Sequence, residues 1–243
     1  MAAKIEELNF DLAPGRTIAR KYEVLEKIGA GWEGEVYKIR EKRSGIERAA
    51  KLFYPHRNPG DKSVLAYARK LHKLRNCSMV VGYNTEEFIQ VKGVRASILI
   101  AELVEGTILE NLIQQAPRGR LSPYRALHML YALATGMDEI HSLGEYHGDL
   151  HSENVIVLHQ GLRFKLKLLD MYYWGRPTQA NIRHDTVEMV RLFYDAIGGR
   201  MHYAKQPQVV KSICCGMKPS LILKKFRSAG ELKYYLENIE WQE

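Results

Sequence analysis

In the stretch Glu145-Tyr-His-Gly-Asp-Leu-His-Ser-Glu-Asn-Val-Ile-Val157, Asp149 stands five residues before Asn154, behind His147 and ahead of a short apolar run. An aspartate there can accept a proton from a nucleophile or orient one. The side-chain carbonyl of Asn154 can serve a hard cation, which prefers oxygen ligands. Val155, Ile156 and Val157 read as the buried strand that holds both. Asp and Asn also cap and turn loops between helices and strands, so the spacing alone leaves a turn as the other reading.

The elements that must position these residues follow from periodicity. Residues 22–28 alternate as a strand, run into Gly29-Ala-Gly31-Trp-Glu-Gly34, and the alternation resumes over 35–40. Two strands joined by a glycine-rich turn form a hairpin. A third strand covers 47–53, and the run from Pro55 to Gly60 breaks it. Val64, Leu65, Ala68, Leu71 and Leu74 then recur at spacings of three and four, which predicts a helix over 62–75. Strands follow near 88–91 and 96–103, and Gly106 marks a boundary. Beyond it, Ser122-Pro123 starts a long helix with Leu127, Leu130, Tyr131, Ala134, Met137 and Ile140 on its apolar face, ended by Gly144. Strands at 155–158 and 164–169, joined at Gln160-Gly161, precede helices over 186–196, 209–215 and 229–238.

Composition sets the bounds. The 243 residues are 46% hydrophobic and 26% charged, which describes a globular chain long enough for one large domain or two small lobes. No stretch reaches the ~18 apolar residues of a membrane helix. The acidic residues near the start replace the apolar core of a signal peptide, so an intracellular, cytoplasmic protein is expected. Cys77, Cys214 and Cys215 have no even count and no zinc spacing, and read as packed thiols. A net charge of +8 favours polyanions, with nucleotides, nucleic acid, anionic lipid and acidic proteins all compatible.

In order and spacing, these motifs resemble the protein kinase superfamily from about Tyr22 to Leu236. The resemblance implies an α+β, bilobal fold: an antiparallel-sheet N-lobe with one helix and a reduced, mainly helical C-lobe. The expected division is a lead-in over 1–20, an N-lobe over 21–104 and a C-lobe over 105–243, together one kinase-like domain. ATP and Mg2+ are the implied cofactors. Ile28, Gly29, Gly31, Gly34 and Val36 match the glycine loop that lies over phosphates. Lys51, after Ala49-Ala50, matches the third-strand lysine that contacts them. Asp170 takes the place of the metal-chelating aspartate and would share the ion with Asn154. Asp149 is the implied catalytic base. The backbone of Glu102 and Val104 would bond adenine, with Ile28, Val36, Ala49 and Ile156 around the ring and Ala101 as a small gatekeeper. Asp185 resembles the buried aspartate that braces the catalytic loop.

The pattern also departs from the family. No glutamate lies between Lys62 and Met79, where the partner position falls near Tyr67 or Ala68, so Lys51 is expected to rest on Asp170 and phosphate alone. Glu33 and Glu35, so near a polyanion, are expected to point outward. Gly148 replaces an arginine and His151 a lysine, wording closer to aminoglycoside phosphotransferases and RIO-type kinases. Fifteen positions separate Asp170 from Asp185, too few for the usual activation segment. The sequence around Lys225 to Leu232 favours the protein-kinase branch. The leading expectation is a serine/threonine protein kinase that needs no activating phosphorylation. A metabolite kinase and a nucleotide-binding pseudokinase scaffold are the alternatives, and a partner that is nucleic acid or another polyanion stays open.

Overall fold

The computed structural model of the chain describes residues 9–160 and 164–239. The junction at Gly161 lies outside the described residues. Two compact units emerge: residues 1–75 with 81–104, and residues 76–80 with 105–243.

The first unit is built on one antiparallel sheet: β1 (Thr17–Ile18), β2 (Tyr22–Ala30), β3 (Gly34–Glu41), β4 (Glu47–Phe53), β5 (Tyr83–Val91) and β6 (Val94–Glu102), in the order β1-β2-β3-β4-β6-β5. Alternation sorts its faces, because successive side chains point to opposite sides. One face carries Tyr37, Ile39, Ala50, Leu52, Ile98 and Ile100, all fully buried. Phe10, Leu12 and Ile18 close over that core, so the stretch before β2 supplies part of it. The helix α1 (Lys62–Lys73) lies against β5 and β6. Val64, Ala68 and Leu71 are buried, whereas Leu65, assigned to the same stripe from spacing, is exposed.

The second unit contains a small antiparallel sheet of β7 (Thr107–Ile108), β8 (Val155–Gln160) and β9 (Phe164–Leu168), in the order β7-β8-β9. Its helices are α2 (Leu109–Gln115), α3 (Pro123–Ser142), α4 (Gln179–Ala196), α5 (Gly199–Tyr203), α6 (Gln208–Cys214), α7 (Pro219–Lys225) and α8 (Ala229–Glu237). Ser122 caps α3 by accepting the Arg125 amide, with Pro123 in the first turn. Thr178 and Asn181 form a reciprocal capping box at the start of α4. Ser228 caps α8 through the Glu231 amide. The α3 stripe buries Leu127, Leu130, Ala134, Met137 and Ile140. Tyr131 leaves it: its ring is exposed and its hydroxyl donates to Glu237 Oε1 at 2.9 Å. Residues 76–80 join this unit through the Leu168 amide, which donates to Met79 O at 2.8 Å, and a parallel bridge between Val80 and Leu168.

The three cysteines are free. Burial pushes the Cys77 thiol up to about 11 and the Cys214 thiol up to about 12. Among the described residues no helix is long and apolar enough to cross a membrane.

Candidate functional site

In the first unit the pleat gathers the expected nucleotide residues on the face opposite the aliphatic core. Strand register pairs Gly29 with Val36, Val36 with Lys51, and Ala49 with Ala101. Paired residues share a face, so Gly29, Val36, Ala49, Lys51 and Ala101 line up there. Ile28 sits in an irregularity of β2 and is exposed. Glu102 ends β6; its amide donates to Gly82 O at 2.9 Å and its carboxylate accepts the Gly82 amide at 3.0 Å. A contact between Glu102 and adenine therefore has to come through its backbone carbonyl. Val104 follows, half-buried.

The glycines of the hairpin are not equivalent. A Cβ on Gly34 would lie 1.8 Å from the Leu52 carbonyl oxygen, so packing alone demands glycine there. A Cβ on Gly29 would meet nothing closer than 3.9 Å, and one on Gly31 would enter open space.

The acids beside this turn do not point outward, which corrects the expectation from sequence. Glu33 Oε2 lies 2.7 Å from Lys51 Nζ, with the two side chains only 23% and 10% exposed. Lys51 thus has a carboxylate partner inside its own unit, and its ion pair is not missing. A charged amine on a half-buried face needs such compensation. Its head also lies over the rings of Phe53 and Tyr67, at 5.3 and 5.4 Å from their centroids.

Glu35 is fully buried. It accepts the Phe10 amide at 3.1 Å, the Asp11 amide at 3.3 Å and the hydroxyls of Tyr37 and Tyr54, and pairs with Lys27 at 3.2 Å. Burial pushes its carboxyl upward, but these hydrogen bonds outweigh burial and hold it below the usual carboxylate range.

In the second unit the Asp149 loop is hung from Asp185 on α4. This carboxylate, fully buried, accepts the His147 amide at 2.7 Å, the Gly148 amide at 2.9 Å and a contact from His141 Nε2 at 3.1 Å. Burial raises its pKa, yet the His141 bond and the two amides prevail and the net shift is downward. His141 Nδ1 is buried without a hydrogen-bond partner among the described residues. With the proton on Nε2 facing Asp185, the orphan is a lone pair and not an N–H. His147 accepts the Asp149 amide at Nδ1, 3.2 Å away, and its Nε2 lies 2.9 Å from Leu169 O. Both bonds are met by the Nε2–H tautomer. The imidazole therefore ties the loop to the segment that leads to Asp170.

Asp149 presents a 56% exposed side chain. Asn154 is buried, with Nδ2 2.9 Å from Asp149 O, 3.4 Å from Asp149 Oδ2 and 2.9 Å from His151 Nε2. Turning its amide nitrogen toward Asp149 leaves Oδ1 as the atom available to a cation. The Leu169 amide donates to Asn154 O at 2.8 Å, which couples that residue to the start of the Asp170 segment. Asp170 is half-buried at φ +49°, a left-handed conformation that aspartate tolerates better than most residues. Ile156 is buried in β8.

Residues 169–178 alone connect β9 to α4. Met171 is buried, and the Tyr172 amide donates to His147 O at 2.8 Å. Trp174 Nε1 donates to Gly148 O at 2.8 Å, and its amide donates to the Tyr146 hydroxyl at 2.6 Å. The indole lies over Gly148, 67% exposed. Gly148 has φ +87°, and a Cβ there would fall 2.9 Å from both Trp174 and Tyr146. An arginine cannot occupy this position without moving both rings.

The donor set suits a hard cation only in part. Among the described residues, no group of three or more His, Cys, Asp or Glu side chains could hold a metal ion. One carboxylate and one amide oxygen fit Mg2+, which keeps waters and takes phosphate oxygens as further ligands.

Sequence reasoning missed Glu33 and Glu35 as inward partners, His141 and Tyr146 as supports, and Trp174 as a cover for Gly148. The only available signal was a pair of acids inside a glycine-rich turn, which no periodicity resolves.

Residues 22–191 match the family model described as Protein kinase domain. A human dual specificity testis-specific protein kinase 1 is 31% identical over 137 residues, 56% of this chain and 20% of that protein. Cyclin-dependent kinase B2-2 of Arabidopsis thaliana is 26% identical over 209 residues, 81% of this chain and 64% of that protein. The chain thus spans less than two thirds of the length of either relative. The solved PknI kinase domain of Mycobacterium tuberculosis superimposes with a TM-score of 0.67 at 19% identity, covering 93% of this chain and 98% of that one. That likeness speaks for the fold.

Proposed function

We propose that this chain, which belongs to the protein kinase domain family, is an ATP-dependent phosphotransferase acting on serine or threonine hydroxyls of proteins. The observation that carries the reading is the clamp of Asp185 on the His147 and Gly148 amides, which presents an exposed Asp149 next to a buried Asn154. A loop held this way keeps a carboxylate at a fixed place without a substrate to organise it, as positioning catalysis requires.

Asp149 would accept a hydrogen bond from the acceptor hydroxyl, aim its oxygen and take its proton. Lys51 would contact the phosphates. The backbone at Gly29 and Gly31 would approach them; since nothing in the packing requires glycine there, close approach of a ligand is the reason left for it. Ile28, Val36, Ala49 and Ile156 would hold the purine, with the Glu102 carbonyl and the Val104 backbone at its polar edge. Asn154 Oδ1 and Asp170 would bind Mg2+, which when bound neutralises charge on the phosphates.

The ten-residue link between β9 and α4 supports activity without loop phosphorylation. Its Tyr172 and Trp174 are already tied to the catalytic loop, and Gly148 offers no cation for a phosphate. The basic charge fits an acidic protein surface or another polyanion near the substrate, and a cytoplasmic setting suits an ATP consumer with free thiols.

The test is transfer of labelled phosphate from ATP to generic protein substrates, with nucleotide binding measured in parallel. Asp149→Asn should abolish transfer and leave binding nearly intact. ATP binding without transfer by the unsubstituted protein would overturn the enzyme reading in favour of a scaffold. Turnover that depends on a phosphate at Tyr172, Tyr173 or Thr178, read by mass spectrometry, would overturn the loop-independent part.

A further inference from the structure

The helix α1, Lys62–Lys73, contains no acidic residue. Its Tyr67 faces the Lys51 ammonium with a ring, 5.4 Å away. A carboxylate that pairs with Lys51 comes instead from the turn between β2 and β3, where Glu33 Oε2 lies 2.7 Å from Lys51 Nζ.

That turn is tethered beyond this one contact. The Gly31 amide donates to Gly34 O at 2.9 Å, and the Tyr54 amide donates to Glu33 O at 2.9 Å. The Arg57 guanidinium lies 4.0 Å from the centroid of the Trp32 ring. Glu33 is therefore fixed through its backbone as well as its side chain, and Trp32 beside it is clasped separately. A pair this short and this little exposed differs from a mobile surface ion pair, whose charges are screened by water.

From these contacts we infer that Glu33 is a positioning residue for Lys51. It supplies from the glycine-rich turn the carboxylate that α1 does not carry. Lys51 is thereby held on the sheet face it shares with Val36 and Ala49, and turn position and lysine position become one variable. The inference rests on the phosphotransferase reading for its catalytic meaning, whereas the pairing itself stands within the first unit. The opposite role, a latch in which Glu33 keeps phosphate away from Lys51, uses the same contact and predicts the opposite sign.

The experiment uses the whole chain with Glu33→Gln, Glu33→Asp and the double variant Glu33→Gln with Tyr67→Glu. Steady-state transfer from ATP is measured together with ATP affinity, and melting temperature confirms folding. Losing the charge-assisted bond should lower kcat about tenfold while changing the KM for ATP much less. Glu33→Asp should restore part of the rate. An acid at position 67, beside the same ammonium, should recover several-fold of the loss. A tighter ATP affinity with a raised kcat in Glu33→Gln would overturn positioning in favour of the latch. A rate loss that neither Glu33→Asp nor the double variant relieves, with an unchanged melting temperature, would also overturn it.

Acylation of Lys51 by an amine-directed reagent, followed by mass spectrometry without nucleotide, gives a readout independent of turnover. It should be slow in the unsubstituted protein and several-fold faster in Glu33→Gln. Equal rates would overturn the pairing. If no phosphate transfer is found, the phosphotransferase reading fails, while this labelling still decides whether Glu33 holds Lys51.

Discussion

The backbone amide of His147 donates to Asp185 Oδ2 at 2.7 Å, across a sequence separation that spans two strands and the start of a helix. A single buried carboxylate thus sets the course of the loop that carries Asp149. Because the Asp185 pKa is held down in the folded state, its contribution to stability is fully present above the unfolded aspartate value of about 3.9. It is lost as pH falls through the lower folded value.

Asp185→Asn should remove this acid dependence and destabilise the protein by about 1–3 kcal/mol at neutral pH, since one amide oxygen cannot serve all three donors and a buried donor is left unsatisfied. Thermal melts by circular dichroism from about pH 2, below the ordinary carboxylate range, to about pH 7, above it, are the check. A variant whose melting curve falls with acid as steeply as the original would show that other carboxylates dominate.

Gly148→Arg should not restore a family-like loop. A side chain at φ +87° costs about 1–2 kcal/mol before any clash with Trp174 and Tyr146 is counted. Adding Trp174→Ala should relieve the steric part and leave the conformational part. Urea titration of the three proteins, the single variants and the pair, measures both. Full additivity would mean that the indole does not meet the new side chain.

The two kinds of glycine in the hairpin separate in the same way. Gly34→Ala should destabilise strongly, because its Cβ would lie inside the contact distance of the Leu52 carbonyl oxygen. Gly31→Ala should change stability by less than about 1 kcal/mol and instead weaken ATP binding. The comparison needs only denaturation midpoints and a nucleotide titration. Equal stability losses would remove the structural case for ligand approach at Gly31.

Glu35→Ala should cost about 1–3 kcal/mol, the range for leaving buried donors unsatisfied, because it strands the Phe10 and Asp11 amides and the Tyr37 hydroxyl, while Lys27, 35% exposed, keeps Asp11 at 3.5 Å. Deleting residues through Leu12 should destabilise as well, since Phe10 and Leu12 belong to the core of the sheet. Combining the two changes should give less than the sum of their effects, as expected for groups in direct contact.

Much of this was legible in residue order. Alternation over β2, β3 and β4 and the three-and-four spacing of α1 and α3 gave the elements, because each buries one face and its period must match. The Ser122 cap and the brace at Asp185 were also legible, each from a short motif with a physical role. The helices α2, α5 and α7 went unread: each is so short that its period is barely sampled, and packing rather than pattern holds it. Tyr131 was misassigned because its amphipathic ring satisfies a helical stripe and a solvent-facing hydroxyl equally well.

By itself, then, the sequence determined the α+β class, the strand and helix order, and which residues are candidates for phosphate and metal. Those depend on local period and on residue type. Only the tertiary structure decided where the acids beside the glycine turn point, and so what faces Lys51. It also decided what covers Gly148. Direction is a property of backbone turns and of partners distant in the chain: Glu33 meets Lys51 because two strands pair, and Trp174 meets Gly148 because a short link folds back. Asp149 and Asn154 could always have been turn residues; the clamp of Asp185 on the loop before them is what separates a held carboxylate from an ordinary turn.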